Sequence, residues 1–155
     1  MKTSARLPWL ATLGMLLSRG VYIGGEGTAR AGARWCTLEG AWINTTRGTT
    51  NAFTLEGFLI RTASDADALE GTYKDGGYAA SVSGSGSSGS WLLSFVYTDS
   101  SGSAETSMVK KVTGTEEATD AKNQFSFKGT YTTWINGVQD DRTGDVTLSG
   151  ICKKT

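Results

Sequence analysis

Cys36-Thr37-Leu38-Glu39-Gly40-Ala41-Trp42-Ile43-Asn44 is the stretch on which the reading of this chain turns. It puts a cysteine, a Gly-x-Trp and an asparagine at tight spacing. A first barrel strand uses all of these: Trp42 closes the barrel floor, Gly40 lets the strand bend, and Asn44 points a polar group inward. Gly-x-Trp alone is weak evidence, so the rest of the chain has to support it.

Leu38-Glu39-Gly40-Ala41-Trp42 is echoed by Leu55-Glu56-Gly57-Phe58-Leu59, Leu69-Glu70-Gly71-Thr72-Tyr73, Phe127-Lys128-Gly129-Thr130-Tyr131 and Leu148-Ser149-Gly150-Ile151-Cys152. Each reads apolar, polar, glycine, variable, apolar. Glycine in mid-strand costs stability, and the coiled strands of a small closed barrel give it a geometric reason. The spacing is too irregular for a solenoid repeat. Period-two alternation marks strands over Ala52 to Ile60, Ala68 to Lys74, Trp91 to Thr98, Phe125 to Ile135 and Asp145 to Cys152. Gly76-Gly77 predicts a turn and Asn136-Gly137 a hairpin. Gly84 to Ser90 reads as a glycine-serine loop and Gly114 to Asn123 as an exposed polar connection. Ser107 to Gly114 reads as either a helix start or a strand. No proline follows Pro8, and no amphipathic helical window lasts three turns. The expected fold is all-β, an eight-stranded antiparallel up-and-down barrel.

The first thirty-odd residues are of another kind. Lys2 and Arg6 precede an apolar run from Leu7 to Leu17, broken by Pro8, Thr12 and Gly14, and Ala29-Arg30-Ala31 offers a small-x-small cleavage site. A site nearer Gly20 is the other option. The run is far shorter than the roughly 20 residues of a spanning helix. The pattern predicts a signal peptide over residues 1–31, a domain over 32–155, and a secreted protein that leaves the membrane on cleavage.

The formal charge of zero conceals an asymmetry, because from Cys36 onward ten Lys or Arg face fourteen Asp or Glu, a net of −4. No basic cluster runs along a face, which argues against nucleic acid. The chain has no histidine and two cysteines, which removes the usual zinc sites and every histidine-based triad. Neither a metal nor a cofactor is implied.

Two cysteines in a secreted chain suggest one disulfide, Cys36 to Cys152. In an even-stranded barrel the first and last strands lie antiparallel and adjacent, which brings the start of one within disulfide reach of the end of the other. A staple between the termini of another fold explains the pair as well.

Two motifs, Cys-x-Leu-x-Gly-x-Trp-x-Asn at residues 36–44 and Leu-x-Gly-Thr-Tyr at 69–73, resemble the avidin and streptavidin family of biotin-binding barrels. The resemblance covers most of the domain in strand order. It implies a biotin site in the open end, with Asn44 and Tyr73 hydrogen-bonding the ureido oxygen and Thr49 as the hydroxyl of the first hairpin. Tyr97 falls where a stacking tryptophan is usual. Ser103 and Thr106 look like hydroxyls for the carboxylate tail or ring sulfur, and Trp134 resembles the tryptophan of the seventh strand. There are departures: Cys152 aligns with the group that accepts a ureido hydrogen, and Gly144 sits near the tryptophan that the family lends across a subunit interface. Asn44-Thr45-Thr46 is also an N-glycosylation sequon. A biotin-like ligand bound more weakly than by the family's best members is expected, with a homo-oligomer among the expected partners.

Two other readings keep the barrel. A lipocalin-like carrier shares the Gly-x-Trp opening and takes a small hydrophobic ligand. A secreted protease inhibitor acts through a flexible Gly24 to Trp35 and keeps its pocket as filled core, and aromatic residues by themselves favour core. Catalysis is not expected: the carboxylate pairs Asp65/Asp67, Glu116/Glu117 and Asp140/Asp141 sit in polar, loop-like stretches, whereas acid-base chemistry requires a desolvated carboxyl.

Overall fold

A computed structural model describes residues 32–98 and 107–155. The expected leader over 1–31 lies outside them, as do Ser103 and Thr106. The strands are β1 (Gly32–Asn44), β2 (Thr49–Arg61), β3 (Asp67–Asp75), β4 (Tyr78–Ser87), β5 (Ser90–Thr98), β6 (Met108–Glu116), β7 (Gln124–Ile135), β8 (Val138–Gln139) and β9 (Gly144–Lys154). Each barrel strand pairs antiparallel with its neighbours, and β6–β7 and β1–β9 pairings close a ring of eight from which the two-residue β8 is excluded. Full closure leaves the barrel without the unpaired edge that an open sheet exposes.

Alternation sets what lies inside. In β2, Phe53, Leu55 and Leu59 are buried while Thr54, Glu56 and Phe58 face out. The core is one cluster drawn from all eight barrel strands, with Val112 the contribution of β6. The repeated glycines face inward with it. Gly57 and Gly71 are register partners on β2 and β3, and a Cβ on Gly57 would stand 2.3 Å from the Glu70 carbonyl oxygen. The two strands approach too closely there for any side chain.

Three local expectations are revised. Gly84 to Ser87 is strand, and only Ser88–Gly89 turns. Its serines face out, while Gly84 and Gly86 make room across the pairing for the side chains of Leu93 and Trp91. Gly114 to Glu116 belongs to β6, which leaves 117–123 as the connection, and the ambiguous Ser107 to Gly114 resolves as strand from Met108. Residues 32–35 of β1 all pair with β2, and Arg34 and Trp35 also with β9, so that part of the segment assigned to a flexible inhibitory arm is sheet.

Cys36 and Cys152 are register partners on β1 and β9 and form a disulfide. The same end of the barrel is plugged by charge. Arg61 bonds Asp67 and Glu116, and Trp91 Nε1 donates to Glu116 at 3.2 Å. The opposite end is ringed by the β1–β2 hairpin, the Gly76–Gly77 turn and the connection from β7 to β9, and among the described residues it is open.

Candidate functional site in the open end of the barrel

The open end is a cup of about 160 Å³. Its floor is Trp42, with ring centroids of Phe53, Phe95 and Tyr131 at 4.8, 5.0 and 4.8 Å. The polar groups above come from separate strands: Asn44 from β1, Thr49 and Asn51 from β2, Tyr73 and Asp75 from β3, Tyr97 from β5, Lys110 from β6, and Arg142 from the connection before β9.

A hydrogen-bond relay crosses the cup. Trp42 Nε1 donates to Tyr73 Oη at 3.0 Å, and Tyr73 Oη donates to Asp75 Oδ2 at 3.0 Å. Burial pushes the Tyr73 hydroxyl up to about 12 and raises those of Tyr97 and Tyr131 as well, so all three stay protonated donors at neutral pH. The Tyr97 hydroxyl lies toward that of Tyr73 and is buried, yet has no hydrogen bond of regular geometry among the described residues. An unmet donor in a closed space carries a desolvation cost that a ligand acceptor would relieve.

Lys110 is the feature that the sequence did not announce. It is 7% exposed, its Nζ donates to Thr133 Oγ1 at 2.9 Å, and it stands 4.9, 5.3 and 5.9 Å from the rings of Tyr131, Trp42 and Tyr97. Cation–π attraction offsets part of its lost hydration. Burial first, then the nearby Arg142, lowers its pKa to about 8, against the pull of Asp140 and Asp75. Arg142 is held by Asp140 at 2.7 Å, and Arg47 at the rim by Asp141 at 2.9 Å.

Of the residues singled out from sequence, Asn44, Thr49, Tyr73 and Tyr97 meet in the cup. Asn44 is buried, and its Oδ1 accepts from the backbone N–H groups of Thr46 and Arg47 at 3.0 and 2.9 Å, so it also ties the first hairpin. A folded Asn44 has no room for a glycan. Thr49 is at the exposed rim. Ser103 and Thr106 lie outside the described residues. Trp134 is corrected. The inward residues of β7 near the mouth are Tyr131 and Thr133, and Trp134 stands on the outer face, its Nε1 on Thr132 Oγ1 and Lys111 Nζ 4.7 Å from its ring. Cys152 is corrected too. The register puts Asn44 opposite Gly144 and Cys36 opposite Cys152, so Cys152 stands eight residues, about 26 Å, from the cup.

Sequence reasoning missed Lys110, Asp75, Tyr131 and Arg142. Tyr131 had a signal, since it ends one of the glycine motifs and shares the inward position of Trp42 and Tyr73 in theirs. A larger hollow of about 350 Å³ lies at the plugged end, lined by Arg34, Arg61, Glu116 and Asn123 among others. Its two arginines are already engaged, Arg34 on Asn123 and Arg61 on Glu116, and the cup, where the motif residues meet, is the better candidate. Among the described residues no group of three or more His, Cys, Asp or Glu is placed to hold a metal ion. Compared with protein-family models, curated proteins and solved structures, the chain matches none of them.

Proposed function

We propose that this chain is a secreted, non-catalytic binding barrel whose cup takes a small, flat, carbonyl-bearing ligand, with biotin the first to test. One observation carries the reading. Asn44 and Tyr73, selected by motif, and Tyr97, selected by its place in the strand order, come from three distant stretches and converge with Trp42 on one cavity. Aromatic faces suit a flat ring, and the buried Tyr97 hydroxyl, without a hydrogen bond of regular geometry among the described residues, suits a carbonyl oxygen. The avidin-like motifs favour biotin within that class. The disulfide supports an oxidising, extracellular location.

Size and charge temper the affinity. Sites for drug-sized ligands hold roughly 300 Å³ or more, and this cup is about half that with Lys110 folded into it. A ligand as large as biotin enters with the lysine swung outward, which forfeits its hydrogen bond and ring contacts. Binding weaker than in the tightest barrels follows.

The test is thermal unfolding of the oxidised protein with and without millimolar biotin, followed by calorimetry. A ligand that binds only the folded form stabilises it by about 4 kcal/mol at a thousandfold excess over Kd. The expected result is a raised midpoint that shrinks in Asn44→Ala and Tyr73→Phe. No shift for biotin with the intact cup would remove biotin as the ligand.

A further inference from the structure

We propose that Lys110 is a nucleophilic amine that captures a small aromatic aldehyde inside the cup as an imine. The inference rests on the cup being a ligand site and names the chemical class that its one buried amine selects. Three observations converge. The Lys110 amine stands 4.9 to 5.9 Å from three aromatic rings, the setting in which a flat aryl group would lie beside it. Among the described residues its only hydrogen bond is to the neutral Thr133 hydroxyl, and no carboxylate lies within ion-pair distance to fix it as an ammonium. The buried Tyr97 hydroxyl lies toward that of Tyr73 without a hydrogen bond of regular geometry among the described residues, and by turning it can donate to an aldehyde oxygen, polarising the carbon that the amine attacks.

The chemistry balances without a co-reactant. The free amine adds to the carbonyl carbon, the C–N bond forms, and the C=O π pair moves to oxygen, which takes a proton. The nitrogen lone pair then expels that oxygen as water, leaving a protonated imine. In sum, an aldehyde and a lysine ammonium give an iminium and one water. Burial supplies the free amine that the first step requires, since with a pKa of about 8 half of Lys110 is deprotonated at that pH, where an exposed lysine is almost wholly charged. The small cavity favours a single ring over a longer ligand.

The test treats the full oxidised chain with benzaldehyde at pH 8, traps imines with borohydride, and maps the modified lysines by mass spectrometry. The expected outcome is modification of Lys110 about tenfold or more faster than of any other lysine, since each unit of pKa is about a factor of ten in free amine. In Lys110→Arg the cup adduct should be gone while the exposed lysines react as before, and in Tyr97→Phe the trapping rate should fall severalfold. Mapping on the wild-type chain decides the matter even if a variant folds poorly. Adducts spread over exposed lysines, with Lys110 no faster, would overturn the proposal. Benzyl alcohol, the same ring without the carbonyl, separates the two readings. If it or biotin raises the unfolding midpoint while Lys110 stays unmodified, the cup binds without the covalent step. If neither does so, the cup is not a ligand site.

Discussion

Lys110 is held in the cup by one hydrogen bond and three aromatic faces, with Asp75 of β3 and Asp140 and Arg142 of the β7–β9 connection as its charged surroundings. Its folded pKa, about 8, lies below that of an unfolded lysine, so between about 8 and 10.4 the unfolded chain binds the extra proton and stability rises with pH. The tyrosines act in the opposite direction. Tyr73, Tyr97 and Tyr131 hold their protons more tightly when folded, so their stabilisation fades as pH climbs beyond about 10. Urea unfolding should therefore show the wild type gaining on the order of 2 kcal/mol between pH 7 and pH 9.5, with Lys110→Met flat over the same range. A flat wild-type profile would mean that the lysine is hydrated. Asn44 and Tyr73 were legible in the sequence because each closes a motif whose apolar members share its parity. Lys110 was not, since Val109-Lys110-Lys111-Val112 shows no apolar alternation and a charge reads as outward. Trp134 was misplaced by a single residue of parity, and one residue is enough to turn a side chain from the inside of a strand to the outside.

The strands themselves were easier to read than their ends. Alternation in β2, β5, β7 and β9 survived translation into structure, whereas β4 and β6 were obscured by composition. Serine and glycine carry little apolar signal, yet Gly84 and Gly86 exist to admit Leu93 and Trp91 from β5. The glycine motifs, by contrast, announced a geometric need that the pairing of Gly57 with Gly71 explains. A methyl group on either would meet backbone, 2.3 Å from Glu70 O in one case and 2.2 Å from Glu56 O in the other, and no side chain can step aside to relieve it. Gly57→Ala is expected to lower stability by about 2–3 kcal/mol. Chemical denaturation would register this as a lower midpoint at unchanged slope, and a neutral result would show that β2 and β3 can part there without loss.

At the scale of the molecule, closure is the organising fact, and the spacing of the two cysteines foretold where the ring joins. What the sequence withheld was β8, the short strand outside the ring. The Asn136-Gly137 turn behaves as a hairpin, but its return limb lasts only two residues before the backbone leaves with Asp140 N–H on the Thr133 carbonyl and carries Arg142 to the cup. The disulfide should stabilise the fold by about 4–5 kcal/mol in the chain-entropy model, given its separation of 116 residues. Denaturation of Cys36→Ala/Cys152→Ala against the oxidised wild type measures it, and a difference under about 1 kcal/mol would show that strand pairing alone holds the seam. The same bond has a topological consequence. From Cys36 to Cys152 the backbone and the disulfide together form a covalent circle, so the molecule has no privileged beginning there. A protease that nicks the turn at Ser88–Gly89 would open that circle yet leave one molecule, two peptides joined through Cys36 and Cys152 until a reductant separates them.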